Sequence, residues 1–281
     1  MILIDSDNYG ASGIEVMTFP GDRMPHAKVP IFDKEEQIVL HLKLRDWKDI
    51  GWAACVQSAL EAQRAFGYIP FVPYFPGRQD KWKILDDGGE LIGAGPKLPV
   101  IISSIISTNY TFDCHSDYTL IWTGAQNFMP SDLDLPVKTD VVGIIAPDEG
   151  ATARAKDFRD AFYPDVGIIQ CTKVRDAKTG KLSHYAMQPL EHRGKHIIVD
   201  DICDGGGTFN LLVEAFGQDL LASDCSLEMF VSHGIFSKGL DAINPRIEHI
   251  TTTDSWCMRP NSERLTVIPL LPQLLERIQN G

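Results

Sequence analysis

"HIIVDDICDGGGTFNLLVEAF", residues 196–216, decides the fold. Its first part, His196 to Ile202, is a short apolar run rich in β-branched residues and reads as a buried strand. Its last part, from Phe209 on, sets apolar residues at helical spacing. Between them stand Asp200, Asp201 and Asp204, the glycines Gly205, Gly206 and Gly207, and Thr208. A bare glycine turn ahead of a helix lets backbone N–H groups face inward, and with the helix start it attracts an anion. Carboxylates repel an anion, but they accept hydrogen bonds from a sugar diol or hold water on a divalent metal. A ribose 5-phosphate unit satisfies both halves: its hydroxyls on Asp200 and Asp201, its phosphate in the loop from Asp204 to Thr208. Other glycine loops fit worse. A dinucleotide site needs GxGxxG, and a P-loop needs a lysine before its Ser/Thr.

Working outward, short β-rich runs alternate with helical patterns. "EQIVLHLKL", "IPFVPYF", "YTFDCHSD", "DVVGIIAPDEG", "VGIIQCTKVRD", "MFVSHGIF" and "HITTTDSW" read as strands. "WAACVQSALEAQRAFG", with a stop at Gly67, and "EGATARAKDFRDAF" read as helices, and the tail "IPLLPQLLERIQ" as a short amphipathic one. The alternation predicts α/β architecture with mainly parallel sheets. Polar clusters recur at strand ends, where open α/β sheets bind ligands. The pattern occurs twice in 281 residues, which predicts two tandem domains, 1–132 and 133–281, joined through the proline- and aspartate-rich "MPSDLDLPVKTD".

The formal charge of −12 argues against a nucleic-acid partner. No apolar run is long enough for a membrane span, and "MILIDSDNYG" carries no signal-peptide pattern. The six cysteines show no CxxC spacing, so they read as reduced, space-filling thiols of a cytoplasmic protein.

"IIVDDICDGGGTF" resembles the phosphoribosyl-diphosphate motif of type I phosphoribosyltransferases and of ribose-phosphate diphosphokinases, the phosphoribosyl pyrophosphate synthetases. Further stretches single out the second family. "PYFPGRQDK" is similar to its PY…RQD segment, which implies that Arg78 and Gln79 touch ATP. "FDCHSD" is similar to its D-x-H-S turn, which puts His115 near the ATP phosphates and a metal. "APDEGATARAKDF" resembles its PDxGG…RAR stretch, with Asp148 near a second metal and the ribose. "TKVRD" matches the K-x-R pair at the base of a catalytic loop, giving Lys173 and Arg175. "FVSHGIFSKG" and "ITTTDS" echo late segments, and "FPGD", with Phe19 and Asp22, stands where the family's F-x-D-G-E stretch holds adenine.

The resemblance runs in order from about residue 19 to residue 254. It implies two tandem type I phosphoribosyltransferase-like domains, each a mainly parallel sheet flanked by helices, ATP on the side of the first and ribose phosphate in the second. It implies Mg²⁺ as cofactor, ATP and a ribose 5-phosphate derivative as substrates, and a homo-dimer or homo-hexamer. The reaction would carry the β,γ-diphosphoryl group of ATP to the C1 hydroxyl, with Lys173 and Arg175 neutralising charge on the phosphoryl oxygens. Singly, each residue has a plainer role: His115 in a polar turn, Lys173 and Arg175 on a solvated strand face, Asp148 as a helix N-cap.

The chain also departs from the family. The phosphate loop has Gly205 where the family has threonine, Gly21 and Arg23 stand where it has Asp and Glu, and Ala151 replaces a glycine. A bare Gly205 is expected to widen the loop and admit a larger 5-substituent, such as the diphosphate of ADP-ribose. The product would then serve an NAD-rebuilding route like that of some phages, in the host cytoplasm. Two rivals share parts of the pattern: a phosphoribosyltransferase using a ribosyl diphosphate and a base, and a non-catalytic nucleotide-binding regulatory paralogue.

Overall fold

The computed structural model describes residues 1–18, 21, 24–33, 35–63, 67–76, 83–84, 91–92, 97–175, 182–187, 194–217, 225–257 and 259–280. They form two compact units: Met1–Lys83, Leu91–Phe128 and Leu274–Gly281 in one, Ile84–Glu90 and Met129–Gln273 in the other. Each is α/β, as the alternation of strand and helix patterns requires.

The first unit is built on five parallel strands in spatial order Ile2–Asp5, Ile38–His41, Tyr68–Val72, Tyr110–Phe112 and Gln126–Phe128. The helix Trp47–Ala62 lays Ile50, Ala53, Val56 and Leu60 against Ile4, Ile38 and Leu40. It starts five residues before the expected "WAAC…" because Asp46 caps it, accepting the Asp49 N–H at 2.9 Å. It ends at Ala62, ahead of the expected stop at Gly67. A two-stranded hairpin, Glu15–Thr18 with Pro25–Lys28, was not foreseen.

The second unit has seven strands in the order Leu182–Met187, Gly167–Arg175, Val141–Ala146, Gly194–Cys203, Cys225–Gly234, Ile247–Thr253 and Leu265–Ile268. All neighbours are parallel except the edge strand Leu182–Met187. Alternate residues face opposite sides of a strand, and both sides are covered. Ile145, Ile198, Met229 and Val231 pack with Phe209, Leu212 and Val213 of the helix Gly207–Ala215. Ile144, Ile197, Val199 and Phe230 pack with Ala155 and Phe158 of the helix Thr152–Phe162. Residues 129–140, the expected linker, fall within this unit: Leu135 packs against the Phe158 core, and Lys138 pairs with Glu228 at 2.5 Å.

Val141–Ala146 is followed on one side by Gly167–Arg175 and on the other by Gly194–Cys203. The order of strands therefore reverses between Val141–Ala146 and Gly194–Cys203. The two loops leaving this pair head to opposite faces and open a crevice at the carboxyl ends.

The carboxyl end of the first unit's sheet carries a partly buried polar cluster, with His41 and Lys43 buried. Asp5 Oδ2 lies 3.2 Å from His41 Nδ1, and the His41 ring stacks on Phe71. Asp7 pairs with Lys43 at 2.9 Å and with Arg45. Burial pushes the Asp5 carboxyl up, but the hydrogen bond and charge of His41, the Asp7 N–H and Lys43 outweigh it and bring the pKa down from 3.8 to about 2. A depressed folded-state pKa means that this stabilisation is complete above about pH 4 and is lost as pH falls through 2. Asp5→Asn is expected to lower the urea midpoint at pH 6, with the gap to the parent closing toward pH 2. A gap that stays constant over pH 2–6 would show that Asp5 does not act through its charge.

Candidate ribose-phosphate site

The second unit's switch point receives two loops. After Ala146, Asp148 accepts the Ala151 N–H at 3.0 Å and so caps the short turn leading into the helix Thr152–Phe162. The plainer role weighed for Asp148 is thus real, and it occupies Oδ1. After Cys203, the chain runs through Asp204 and Gly205, and Gly206 takes a left-handed conformation at φ 75° that admits glycine easily. The helix Gly207–Ala215 then starts, and Thr208 is half-buried in its first turn.

Asp200 and Asp201 lie near the end of the strand Gly194–Cys203, with side chains 15% and 9% exposed. Arg154, from the Thr152–Phe162 helix, reaches both: its guanidinium nitrogens stand 3.9 Å from Asp200 Oδ1 and 3.5 Å from Asp201 Oδ2. The Asp201 N–H also donates to Asp200 Oδ1 at 2.9 Å. Arg154 was missed as a site residue, although "GATARAKDF" placed it six residues past Asp148. Its signal is charge balance, since adjacent buried acids require a cation.

One cation does not neutralise the cluster. Burial, then Asp201, raise the Asp200 carboxyl well above the usual carboxylate range; Asp148 adds to this and Arg154 opposes it. The neighbouring thiols feel the same field. Cys203 is pushed up to about 12 by burial, then by Asp200 and Asp204, and Cys171 to about 12 by burial, then by Asp148. A crowded set of buried acids favours a ligand that brings hydroxyl donors or positive charge. Beside it, the glycine turn and helix start favour an anion.

The other sequence-derived candidates fall elsewhere. His115 belongs to the first unit, in an exposed turn after the strand Tyr110–Phe112. That turn begins at Asp113, which is buried and holds a positive φ of 39°, a conformation that costs a non-glycine residue energy and recurs at functional turns. Lys173 and Arg175 lie on the strand Gly167–Arg175, paired with Tyr185 and Leu182 across an irregularity between Val174 and Arg175. Phe19, Asp22, Arg78 and Gln79 lie outside the described residues. Among the described residues no three His, Cys, Asp or Glu side chains converge as a metal cage. Mg²⁺ does not need one, because it keeps several waters and takes one or two carboxylates together with substrate phosphates. The acids at the switch point are hard oxygen donors of that kind. A cavity of about 100 Å³ in the same unit, lined by Phe158, Phe162, Tyr163 and Phe230, includes none of these residues.

The fold and site thus define an α/β protein with a glycine turn, a helix start and an acidic cluster at a switch point. No family model matches the sequence. It is 29% identical over 164 residues to a ribose-phosphate pyrophosphokinase of Maricaulis maris, which covers 56% of this chain and 51% of that protein. It is 28% identical over 152 residues to a ribose-phosphate pyrophosphokinase of Mycoplasmopsis pulmonis, 52% of this chain and 46% of that one. These matches span about half the length of the curated relatives. The crystal structure of phosphoribosylpyrophosphate synthetase from Mycobacterium smegmatis has the same fold, with a TM-score of 0.71, 15% identity, and coverage of 99% of this chain and 97% of that one. Over about half its length the sequence is thus similar to ribose-phosphate pyrophosphokinases, and the fold is that of a phosphoribosylpyrophosphate synthetase.

The electrostatics give opposite stability effects for two neighbours. Asp200→Asn removes a carboxylate whose folded-state pKa is raised, so it is expected to stabilise the fold at pH 7. Arg154→Leu leaves two buried acids facing each other and is expected to cost about 2 kcal/mol or more. In the double variant the Arg154→Leu cost should shrink. Urea unfolding at pH 7 measures all three; equal costs of Arg154→Leu with and without Asp200 would refute the coupling.

Proposed function

We propose that the chain transfers the β,γ-diphosphoryl group of ATP to the C1 hydroxyl of a ribose 5-phosphate unit. The hydroxyl oxygen bonds to the β-phosphorus and gives up its proton, the bond between that phosphorus and the α,β-bridging oxygen breaks, and AMP leaves. The observation that carries the proposal is the convergence of Asp148, Arg154, Asp200 and Asp201 with the Asp204–Thr208 loop at one switch point, in a chain related to ribose-phosphate pyrophosphokinases.

In this reading the acids accept the ribose hydroxyls, and the glycine N–H groups hold the 5-phosphate. Arg154 keeps Asp200 and Asp201 oriented and limits their mutual repulsion. Lys173 and Arg175 supply positive charge to the phosphoryl oxygens as the β-phosphorus is attacked, where charge is greatest in the transition state. Phe19, Asp22, Arg78, Gln79 and His115 serve ATP. Asp148 and His115 would each help to hold a Mg²⁺, which when bound would supply positive charge to phosphoryl oxygens. Gly205 favours an acceptor with more than a monophosphate at C5, and ADP-ribose is the acceptor we propose.

The test is AMP release from ATP and Mg²⁺ with ribose 5-phosphate and with ADP-ribose. AMP should appear with at least one acceptor, and faster with ADP-ribose. Lys173→Ala and Arg175→Ala are each expected to lower the rate about a hundredfold, roughly 3 kcal/mol of barrier. No AMP with either acceptor, or nucleotide formation from a ribosyl diphosphate and a base, would overturn the proposal.

A further inference from the structure

Gly205 was expected to leave the phosphate loop open. The structure fills that space. A Cβ at Gly205 would lie 3.3 Å from both Cδ and Cε of Lys238 and 3.6 Å from its Cγ. Gly205 has no left-handed backbone to explain its glycine, whereas Gly206 has. What the bare position accommodates is the stem of a lysine, and the ammonium lies one bond beyond Cε.

The segment that carries Lys238 is tied to the loop. Ile235 and Phe236 both donate their N–H to the Cys203 carbonyl, at 2.9 and 3.1 Å, joining the segment to the end of the strand that feeds the loop. Phe236 lies so close to Gly234 that a Cβ there would stand 2.3 Å from its ring. Farther on, the Asn210 side chain donates to the Ala242 carbonyl and accepts the Asn244 N–H, both at 2.8 Å. Arg264 donates to the carbonyls of Leu240, Ile243, Asn244 and Ile247. The backbone on both sides of Lys238 is thereby pinned, one side through the helix that starts at the phosphate loop. Lys238 itself is exposed and forms no ion pair with the described residues.

We propose that Lys238 is a specificity-determining residue that contacts the second phosphate of an acceptor ribose bearing a diphosphate at C5. A threonine at 205 would offer a short neutral hydroxyl that closes the loop around a single phosphate. The glycine–lysine pair puts in its place a full charge with three donors on a four-carbon stem. Reach discriminates here more than charge. A ribose 5-monophosphate and a diphosphate diester carry similar charge near neutrality, but only the diester presents a phosphate beyond the loop. This inference rests on the proposed acceptor site and deepens it.

The experiment measures binding of ADP-ribose and of ribose 5-phosphate to the full chain without ATP, by calorimetry, and turnover of each with ATP and Mg²⁺. Lys238→Met should weaken ADP-ribose relative to ribose 5-phosphate by about tenfold, the worth of one charge-assisted contact at roughly 1.4 kcal/mol. Lys238→Arg should keep most of the preference. Gly205→Thr, which must push the lysine stem aside, should shift the preference the same way, and the double variant should lose no more than either single one. A change in relative binding without AMP release from either acceptor would uphold Lys238 while the diphosphoryl-transfer proposal fails. An equal loss for both acceptors, or additive effects of the two substitutions, would overturn the role of Lys238.

Discussion

The structure of the second unit depends on one topological constraint. Its parallel sheet reverses strand order between Val141–Ala146 and Gly194–Cys203. At any other pair of parallel strands, the connections pack side by side on one face. At the reversal they part, and backbone and side chains at the strand ends lose the neighbours that would bury them. Polar groups can remain there at low cost only if a ligand, a counter-charge or water meets them. Asp148, Asp200, Asp201 and the Asp204–Thr208 turn all lie on the loops or strand ends bordering that gap, and Arg154 enters it from the helix that follows one of them.

The opening puzzle, acids beside bare backbone, resolves as a division of labour across a few residues. The acids are crowded enough that Asp200 stays well above its ordinary pKa even with a guanidinium nearby. Such crowding favours the neutral form of Asp200 and suits a partner that supplies hydroxyl donors or positive charge. Among the described residues, Lys238 of the 236–244 segment is a cation that lies beside this glycine turn. In the proposed reading, phosphate held there would rely on N–H groups, the helix start and Lys238. Under the proposed function, a single ligand with a diol at one end and phosphate at the other would meet both halves.

Much of this was legible from residue types in order. The strands, the phosphate turn and the acids depend on local patterns, and local patterns survive in one sequence. The helix start at Trp47 was misplaced because Trp47 is exposed and the apolar spacing strengthens only later, while the cap lies at Asp46. The strand Leu265–Ile268 and the hairpin at Glu15–Thr18 are only four residues per strand, too short for a period to stand out. Arg154 was visible as a residue but not as a partner. Its meaning depends on a helix returning over the end of a strand some 46 positions later, which no spacing rule encodes.

Lys238 was hidden for a deeper reason. From the sequence, replacing a threonine by glycine at 205 reads as subtraction, and subtraction suggests empty space. In the fold, the carbonyl of Cys203 holds the 235–236 backbone, and that tether delivers a lysine stem to the vacated position. The two residues are 33 positions apart, and a side chain at 205 would make the lysine stem give by a few tenths of an ångström. Under the proposal, the loop's departure from the pattern it resembles would be an exchange of one polar group for another of different reach and charge. That exchange keeps the anion-binding backbone intact while moving the side-chain contribution outward, to where a second phosphate would lie.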